Sequence, residues 1–389
     1  MIRRKIEPVV REWSKGFKSI TLTGPRQSGK TTLARMVFPH LPYVSLENPD
    51  QRERASRDPR GFLAQLPDGG ILDEIQRVPA LFSYLQQRLD EQKETGRFVF
   101  TGSQQFGLMQ NLSQSLAGRS GLLTLYPFSY AELQHAGVAH DSLADCVVKG
   151  GYPPLFDPGA PVEPWLNAYI STYIERDVRN LLEVKNLDAF HTFLRLCAGS
   201  VGQELNMSRL GADCGIQHNT VREWLSVLEA SFVIVRIPAH HRNFRKRLVK
   251  RPKLYFVDTG LAARLIGLEN ASQWWSHPLR GALFENWVVT EMLKKRANCG
   301  KLPDLFYWRE NNGLEVDLLR EEAGRLLPTE IKSGATFTQE WTRALQKWSE
   351  LAGSLAGPPE LIYGGEESFI SEGVQVRSWK SMADGPEDL

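Results

Sequence analysis

Gly24-Pro25-Arg26-Gln27-Ser28-Gly29-Lys30-Thr31 has the spacing G-x-x-x-x-G-K-[ST] and lies between a β-rich run, SITLT, and a helical one, TTLARMVF. A glycine-rich turn in that context aims backbone N–H groups and a helix N-terminus at anionic oxygens. Lys30 would reach the β- and γ-phosphates of a nucleotide, the Thr31 hydroxyl would hold Mg2+, and Thr32 completes the cradle. Gly70-Ile71-Leu72-Asp73-Glu74 is an apolar strand ending in two acids. Asp73 would hold the same Mg2+, and Glu74 would polarise the attacking water as catalytic base beside Lys30. The strand RFVFTGS ends in Thr101-Gly102-Ser103, where Ser103 could sense the γ-phosphate; a plain Thr/Ser turn is the other reading.

A second group sits in the last third of the chain. Glu315 and Asp317 alternate along a strand and so share a face. Glu330-Ile331-Lys332 follows Asp317 after twelve residues, and Glu285 lies on the helix before. This resembles the PD-(D/E)xK nuclease pattern. Glu285, Asp317 and Glu330 would gather Mg2+ or Mn2+, and Lys332 would orient water for phosphodiester hydrolysis with Asp317 and Glu330. A solvated amphipathic strand is the alternative source of an E-x-K. A third group is basic: Arg242, Arg245, Lys246, Arg247, Lys250, Arg251 and Lys253, with no acid among them. Gln217, His218, Asn219 and Arg222 open the helix upstream, where base edges could be reached, so nucleic acid, DNA first, is the expected partner. The alternative is pairing of these cations with acids elsewhere in the protein.

The elements that must position these residues fall into four regions. Residues 1–127 alternate strands (SITLTG, YVSLE, GILDE, RFVFTGS, GLLTLYPF) with helices, which predicts a parallel βαβ sheet. Residues 128–186 read as a helical lid, with a helix from about Pro164. Residues 187–253 read as three helices, a strand (VIVRIP) and a basic loop, the order of a winged helix-turn-helix. There Ser208 caps the middle helix and Thr220-Val221-Arg222-Glu223 opens the third as a capping box. Residues 254–389 hold KLYFVDTG, a helix near Leu279–Arg296, strands LEVDLL and PTEIKS, and a further helix.

The composition is that of an ordinary globular chain, 42% hydrophobic and 24% charged, which excludes disordered, collagen-like and coiled-coil classes. A formal net charge of +2 leaves nucleic-acid binding to the local cluster alone. No apolar run approaches the ~18 residues of a membrane span, so no membrane partner is expected. The scattered Cys146, Cys197, Cys214 and Cys299 suit a reducing cytoplasm.

GPRQSGKTTLA, GGILDEIQRVP, FVFTGSQQF and SLAGRSGLLTLYPFSYAEL resemble a family of prokaryotic AAA-type ATPases. In that family a C-terminal domain of unassigned function follows the ATPase. YIERDVRNL, KLYFVDTGLAARLIG, ALFENWVVTEM and YWRENNGLEVDLL resemble that partner domain. The resemblance implies ATP as the nucleotide, a P-loop core with a helical lid, a winged helix and a nuclease-like C-terminal fold of the α/β class. It also implies an arginine that neutralises charge on the γ-phosphate, with Arg119 first and Arg176 second; an ordinary ion pair is the alternative for each. An arginine acting in trans would require a homo-oligomer. The nuclease-like domain could instead hold a protein partner without cutting, which makes the chain an ATP-gated switch or remodeller.

Overall fold

The computed structural model describes residues 2–91, 93–103, 116–174, 186–240, 251–310 and 313–383. The chain divides into two compact units. The first comprises residues 1–128, 230–232 and 294–301, the second residues 129–229, 233–293 and 302–389.

The first unit alternates helices and strands: α1 (Glu7–Gly16), β1 (Ser19–Thr23), α2 (Lys30–Val37), β2 (Tyr43–Ser45), α3 (Pro49–Arg57), α4 (Pro59–Ala64), β3 (Gly70–Asp73), α5 (Leu81–Glu91), β4 (Phe98–Gly102) and β5 (Ser120–Thr124). The five segments read as strands from their β-branched and aromatic runs form one parallel sheet in the order β2-β3-β4-β1-β5. Both faces are covered, so strand residues alternate between two cores. Val99 packs with Ile20, Leu22, Leu33 and Val37 on one side, while its neighbours Phe98 and Phe100 pack with Leu63, Leu81 and Leu85 on the other. Burying a side chain the size of Phe100 contributes roughly 1.5–3 kcal/mol. That burial holds the C-terminal strand ends, where the acids and hydroxyls sit, in a fixed row.

The second unit opens with α6 (Tyr130–His135), started by a capping box in which Ser129 and Glu132 satisfy each other's backbone N–H groups. It continues through α7 (Leu143–Lys149) and α8 (Val162–Tyr169). Then come α9 (Leu187–Gly199), α10 (Met207–Cys214) and α11 (His218–Ala230), followed by the antiparallel pair β6 (Ile234–Ile237) and β7 (Lys253–Phe256). The caps differ from the sequence reading. Asn206, not Ser208, caps α10 by accepting from Arg209 N at 3.1 Å. Helix α11 begins at His218, so Thr220 lies inside its first turn. Asn206 thus performs, two positions upstream, the role expected of Ser208.

After α12 (Thr259–Leu265), α13 (Ala271–Trp274) and α14 (Arg280–Asn298) comes a mixed sheet. Its strands are β8 (Leu305–Arg309), β9 (Glu315–Glu322), β10 (Arg325–Lys332), β11 (Glu360–Tyr363), β12 (Phe369–Ser371) and β13 (Val374–Ser378), with α15 (Arg343–Ala352) between β10 and β11. The order is β12-β13-β11-β10-β9-β8. β8, β9 and β10 run antiparallel, and β10, β11 and β13 run parallel. α15 covers one face with Leu345 and Trp348 against Trp308, Val316, Leu326 and Leu361. β8, β11, β12 and β13 were not read from the sequence. Among the described residues, no helix is long and apolar enough to cross a membrane.

Candidate nucleotide-binding site and a lysine–carboxylate cluster

β1 ends at Thr23 and the chain turns through Gly24 to Gly29 before α2 begins at Lys30. Gly24 has φ 139°, and a Cβ there would stand 2.1 Å from the Leu125 carbonyl oxygen. Gly29 has φ 93°, in the region that favours glycine. Pro25, Arg26, Gln27 and Ser28 complete the turn, and Gln27 also takes positive φ, 59°. From the far side the Arg4 guanidinium donates to the carbonyls of Ser28 (2.9 Å) and Tyr126 (2.6 Å) and lies 4.7 Å from the Phe128 ring centroid. Arg4 fastens the loop to the strand end. Only a basic start to the chain hinted at it.

Lys30 is buried, and its Nζ donates to the carbonyls of Gly24 (2.9 Å) and Pro25 (2.7 Å). Burial, only partly countered by Glu74 and Asp73, pulls its pKa down to about 8. An ammonium held on neutral carbonyls in a dry turn is poised for an anion.

Three hydroxyls converge on Asp73. Thr31 donates to Oδ1 at 2.9 Å, Thr101 donates to the same oxygen, and Tyr43 donates to Oδ2 at 2.8 Å. Tyr43 is pushed up to about 12, first by burial and then by its bond to Asp73. Glu74 has φ 55°, a strained value for a non-glycine residue. Its Oε2 accepts from Ser103 (2.9 Å) and Gln76 (2.5 Å), while its N–H donates to Thr101 Oγ1 at 3.2 Å. The structure therefore gathers Lys30, Thr31, Asp73, Glu74 and Ser103 at the C-terminal ends of β1, β3 and β4. Thr32 is exposed on α2. Sequence spacing missed Tyr43 and Gln76, which join through tertiary packing. Beside Thr31 opens a cleft of about 730 Å³, lined among others by Thr32, Arg35 and Tyr43. A hydroxyl and a carboxylate side by side, next to a phosphate cradle, are the donor set that suits Mg2+.

Residues 16–134 match a family model described as an AAA domain; residues 140–272 and 280–381 match domains of unknown function (DUF8612 and DUF4143). The chain is 31% identical over 356 residues to the uncharacterized protein Rv2008c of Mycobacterium tuberculosis, covering 90% of this chain and 77% of that one. It is 24% identical over 277 residues to an uncharacterized protein of Haemophilus influenzae, covering 67% of this chain and 64% of that one. This chain belongs to that family of AAA-domain P-loop ATPases. Among solved structures, the Walker-type ATPase PABY2304 of Pyrococcus abyssi is similar to this ATPase at a TM-score of 0.46 and 16% identity, covering 68% of this chain and 96% of that one. AMPPCP-bound DnaA from Aquifex aeolicus is similar at 0.31 and 14%, covering 57% and 86%.

Arg119 does not join the ATPase's phosphate site. It precedes β5, and its carbonyl accepts from Ser19 N at 3.1 Å, so it stands at the N-terminal edge of the sheet. Its guanidinium forms a two-pronged ion pair with Asp90, at 2.6 and 2.9 Å. The ion-pair alternative describes it, and the P-loop lies at the other end of β1. Arg176 lies outside the described residues.

In the second unit of the ATPase, Glu285 on α14, Glu315 and Asp317 on β9, and Glu330 and Lys332 on β10 come together as their spacing predicts, but with cations already among them. Lys253, counted in the sequence as part of the basic run, turns inward. Its side chain is 3% exposed, and Nζ stands 2.9 Å from Glu285 Oε1 and 2.6 Å from Glu315 Oε1. Tyr255 donates to the same Glu285 oxygen at 2.6 Å. Asp317 Oδ2 accepts from Ile331 N at 2.8 Å, and Lys332 bonds Glu330 and stands 3.8 Å from Asp317. Burial followed by Asp317 pushes Glu285 up to about 7 and Glu330 up to about 8, each opposed by its lysine. Burial works to lower Lys253, and the surrounding anions outweigh it, lifting it well above its usual range.

Among the described residues, no three His, Cys, Asp or Glu side chains are gathered so as to hold a metal ion. Of the expected Mg2+ or Mn2+ set, Glu285 is engaged by Lys253 and Tyr255, Asp317 by the Ile331 N–H, and Glu330 by Lys332. Of the expected nucleic-acid residues, Arg222 and Arg251 are exposed. Arg242, Arg245, Lys246, Arg247 and Lys250 lie outside the described residues.

Proposed function

We propose that this chain is a Mg2+-dependent ATP hydrolase whose nucleotide state controls a nucleic-acid-binding half of the protein. The observation that carries the reading is the convergence of Thr31, Tyr43 and Thr101 on Asp73 beside a buried, anion-ready Lys30. Mg2+ would supply charge neutralisation between the phosphate oxygens when bound. The N–H groups of the Gly24–Thr31 turn and the start of α2 orient the phosphates. Lys30 exchanges neutral carbonyls for phosphate oxygens, and Thr31 and Asp73 are the residues that would hold the ion. Glu74, fixed by Ser103 and Gln76, accepts a proton from water aligned on the γ-phosphate. The test is a steady-state ATP hydrolysis assay with Mg2+. Wild-type turnover that vanishes in Glu74→Gln while nucleotide binding persists is the expected result; equal turnover in both overturns the reading.

For the second half, three helices followed by an antiparallel pair, with Gln217, His218, Asn219 and Arg222 exposed at the start of α11, support a winged helix presented to DNA. Neutralising Arg222 and Arg251 together should flatten the salt dependence of DNA binding by about two units of log–log slope. A helix, three antiparallel strands, a helix and a parallel strand support a nuclease-like fold for residues 280–381. Lys253 among its carboxylates favours a binding module over a metal-dependent nuclease, with self-association or a protein partner as what the module would serve.

A further inference from the structure

We propose that Lys253 is the built-in counter-cation of the carboxylate cluster. Its ammonium takes the position between Glu285 and Glu315 that a divalent ion would need, so the cluster binds no metal while Lys253 is present and becomes a divalent-cation site when that charge is removed.

The geometry points to this in four ways. First, the ammonium is saturated: two carboxylate oxygens lie at 2.9 and 2.6 Å, and the Tyr307 ring centroid lies at 5.4 Å. A strong cation–carboxylate bond on two sides and a ring face on the third leave it no reason to swing to solvent. Second, its backbone is fixed. Lys253 pairs with Ile237 across β6–β7 and forms an antiparallel bridge with Glu204, so it is held between two partners and cannot withdraw without breaking the strand. Third, the neighbourhood is acid-rich even with Lys253 counted. Among the described residues, Glu204, Glu285, Glu315, Asp317 and Glu330 meet the cations Lys253, Lys332 and Arg309, the last bridging Glu204 (3.2 Å) and Glu315 (3.3 Å). Fourth, Glu330 is 7% exposed, and its Oε2 is buried with no hydrogen-bond partner among the described residues. Taking the Lys253 charge away leaves Glu285 without its ammonium and Glu315 with Arg309 alone, and a small hard cation is the ligand such oxygens take.

The experiment uses the full chain without nucleotide, in an Asp73→Asn background that silences the phosphate-site metal ligand. It measures Mn2+ binding by loss of the free-ion EPR signal, together with thermal unfolding in Mn2+, Ca2+ and matched NaCl. The chain with Lys253 is expected to bind no Mn2+ at the cluster and to show the same melting temperature in all three salts. Lys253→Met is expected to take up one Mn2+ about tenfold more tightly than any residual site in its parent, and to melt higher in Mn2+ or Ca2+ than in NaCl. Adding Glu285→Gln should remove both gains. Mn2+ bound by the chain with Lys253 and lost in Glu330→Gln would overturn the proposal, since metal and lysine would then coexist. So would a folded Lys253→Met that binds nothing. If Lys253→Met fails to fold in NaCl, refolding in Mn2+ is the expected rescue, and no rescue counts against the proposal.

Discussion

Lys30 and Lys253 are buried to nearly the same degree, 6% and 3% exposed, yet they shift in opposite directions. Lys30 donates to the neutral carbonyls of Gly24 and Pro25, so burial dominates and its charge is costly. Lys253 touches two carboxylates, so the same burial is outweighed. The lesson is that a buried lysine's role is read from its partners rather than its depth. One without an anion is waiting for a ligand; one with its anions in place is part of the framework. If that is right, replacing Lys30 should destroy activity and spare the fold, and replacing Lys253 should do the reverse.

The largest effect is therefore expected at Lys30. Lys30→Ala should lower ATP turnover by about a thousandfold, the scale of losing a group that stabilises transition-state charge, while its circular dichroism stays that of the parent. Turnover within a few-fold of the parent would place the phosphates elsewhere.

Lys253→Met should come next, costing about 3 kcal/mol or more of stability by urea denaturation, because it leaves Glu285 without its ammonium. Adding Glu285→Gln should recover part of the loss, and purely additive losses would show that the pair is not coupled.

The opposite signs of the two shifts can also be tested by pH. Lys30 in the folded chain holds a pKa of about 8, below its unfolded 10.5. Its charge thus penalises the nucleotide-free fold below pH 8, and the penalty fades as pH rises from 8 to 10.5. Lys30→Met removes up to about 3 kcal/mol of that penalty. Its stability relative to the parent should therefore fall steadily between pH 8 and 10.5. A pH-independent difference would mean that Lys30 is not depressed. ATP binding near pH 8 should also take up a proton, visible by calorimetry in buffers of different ionisation enthalpy.

What could be read in the sequence follows the same division. Gly24–Thr31, Asp73–Glu74 and the five strands of the parallel sheet were legible because a turn motif and apolar runs are local features. Glu315, Asp317, Glu330 and Lys332 were legible as a face because strand alternation is local too. Lys253 was not. In a run of seven basic residues nothing in the charge pattern marks which one turns inward, and only the pairing of β7 with β6 decides it. Tyr43 and Arg4 were hidden for a related reason, since each acts across the fold, on Asp73 and on the Ser28 carbonyl. The start of α10 differs from its sequence reading because two good caps lie close together, and Asn206 wins over Ser208 by accepting the Arg209 N–H.

The smallest effect is expected at Arg119, and it tests the other half of the comparison, a cation that already has its anion. β1 is five residues long, which at about 3.3 Å per residue puts about 13 Å between the Ser19 end, where Arg119 sits, and the Thr23 end, where the P-loop begins. A side chain anchored to Asp90 by two bonds at the far edge cannot reach a γ-phosphate on its own chain. Burial does not strengthen that pair, and exposed pairs add little. Arg119→Ala should leave both the melting temperature and the turnover of dilute, monomeric protein near the parent's. A drop in turnover that appears only as protein concentration rises would mean that Arg119 leaves Asp90 to serve a neighbouring copy. A drop at every concentration would mean that the sheet edge and the phosphate site communicate. No change at any concentration would leave Arg119 as what its partner says it is, the framework half of an ion pair.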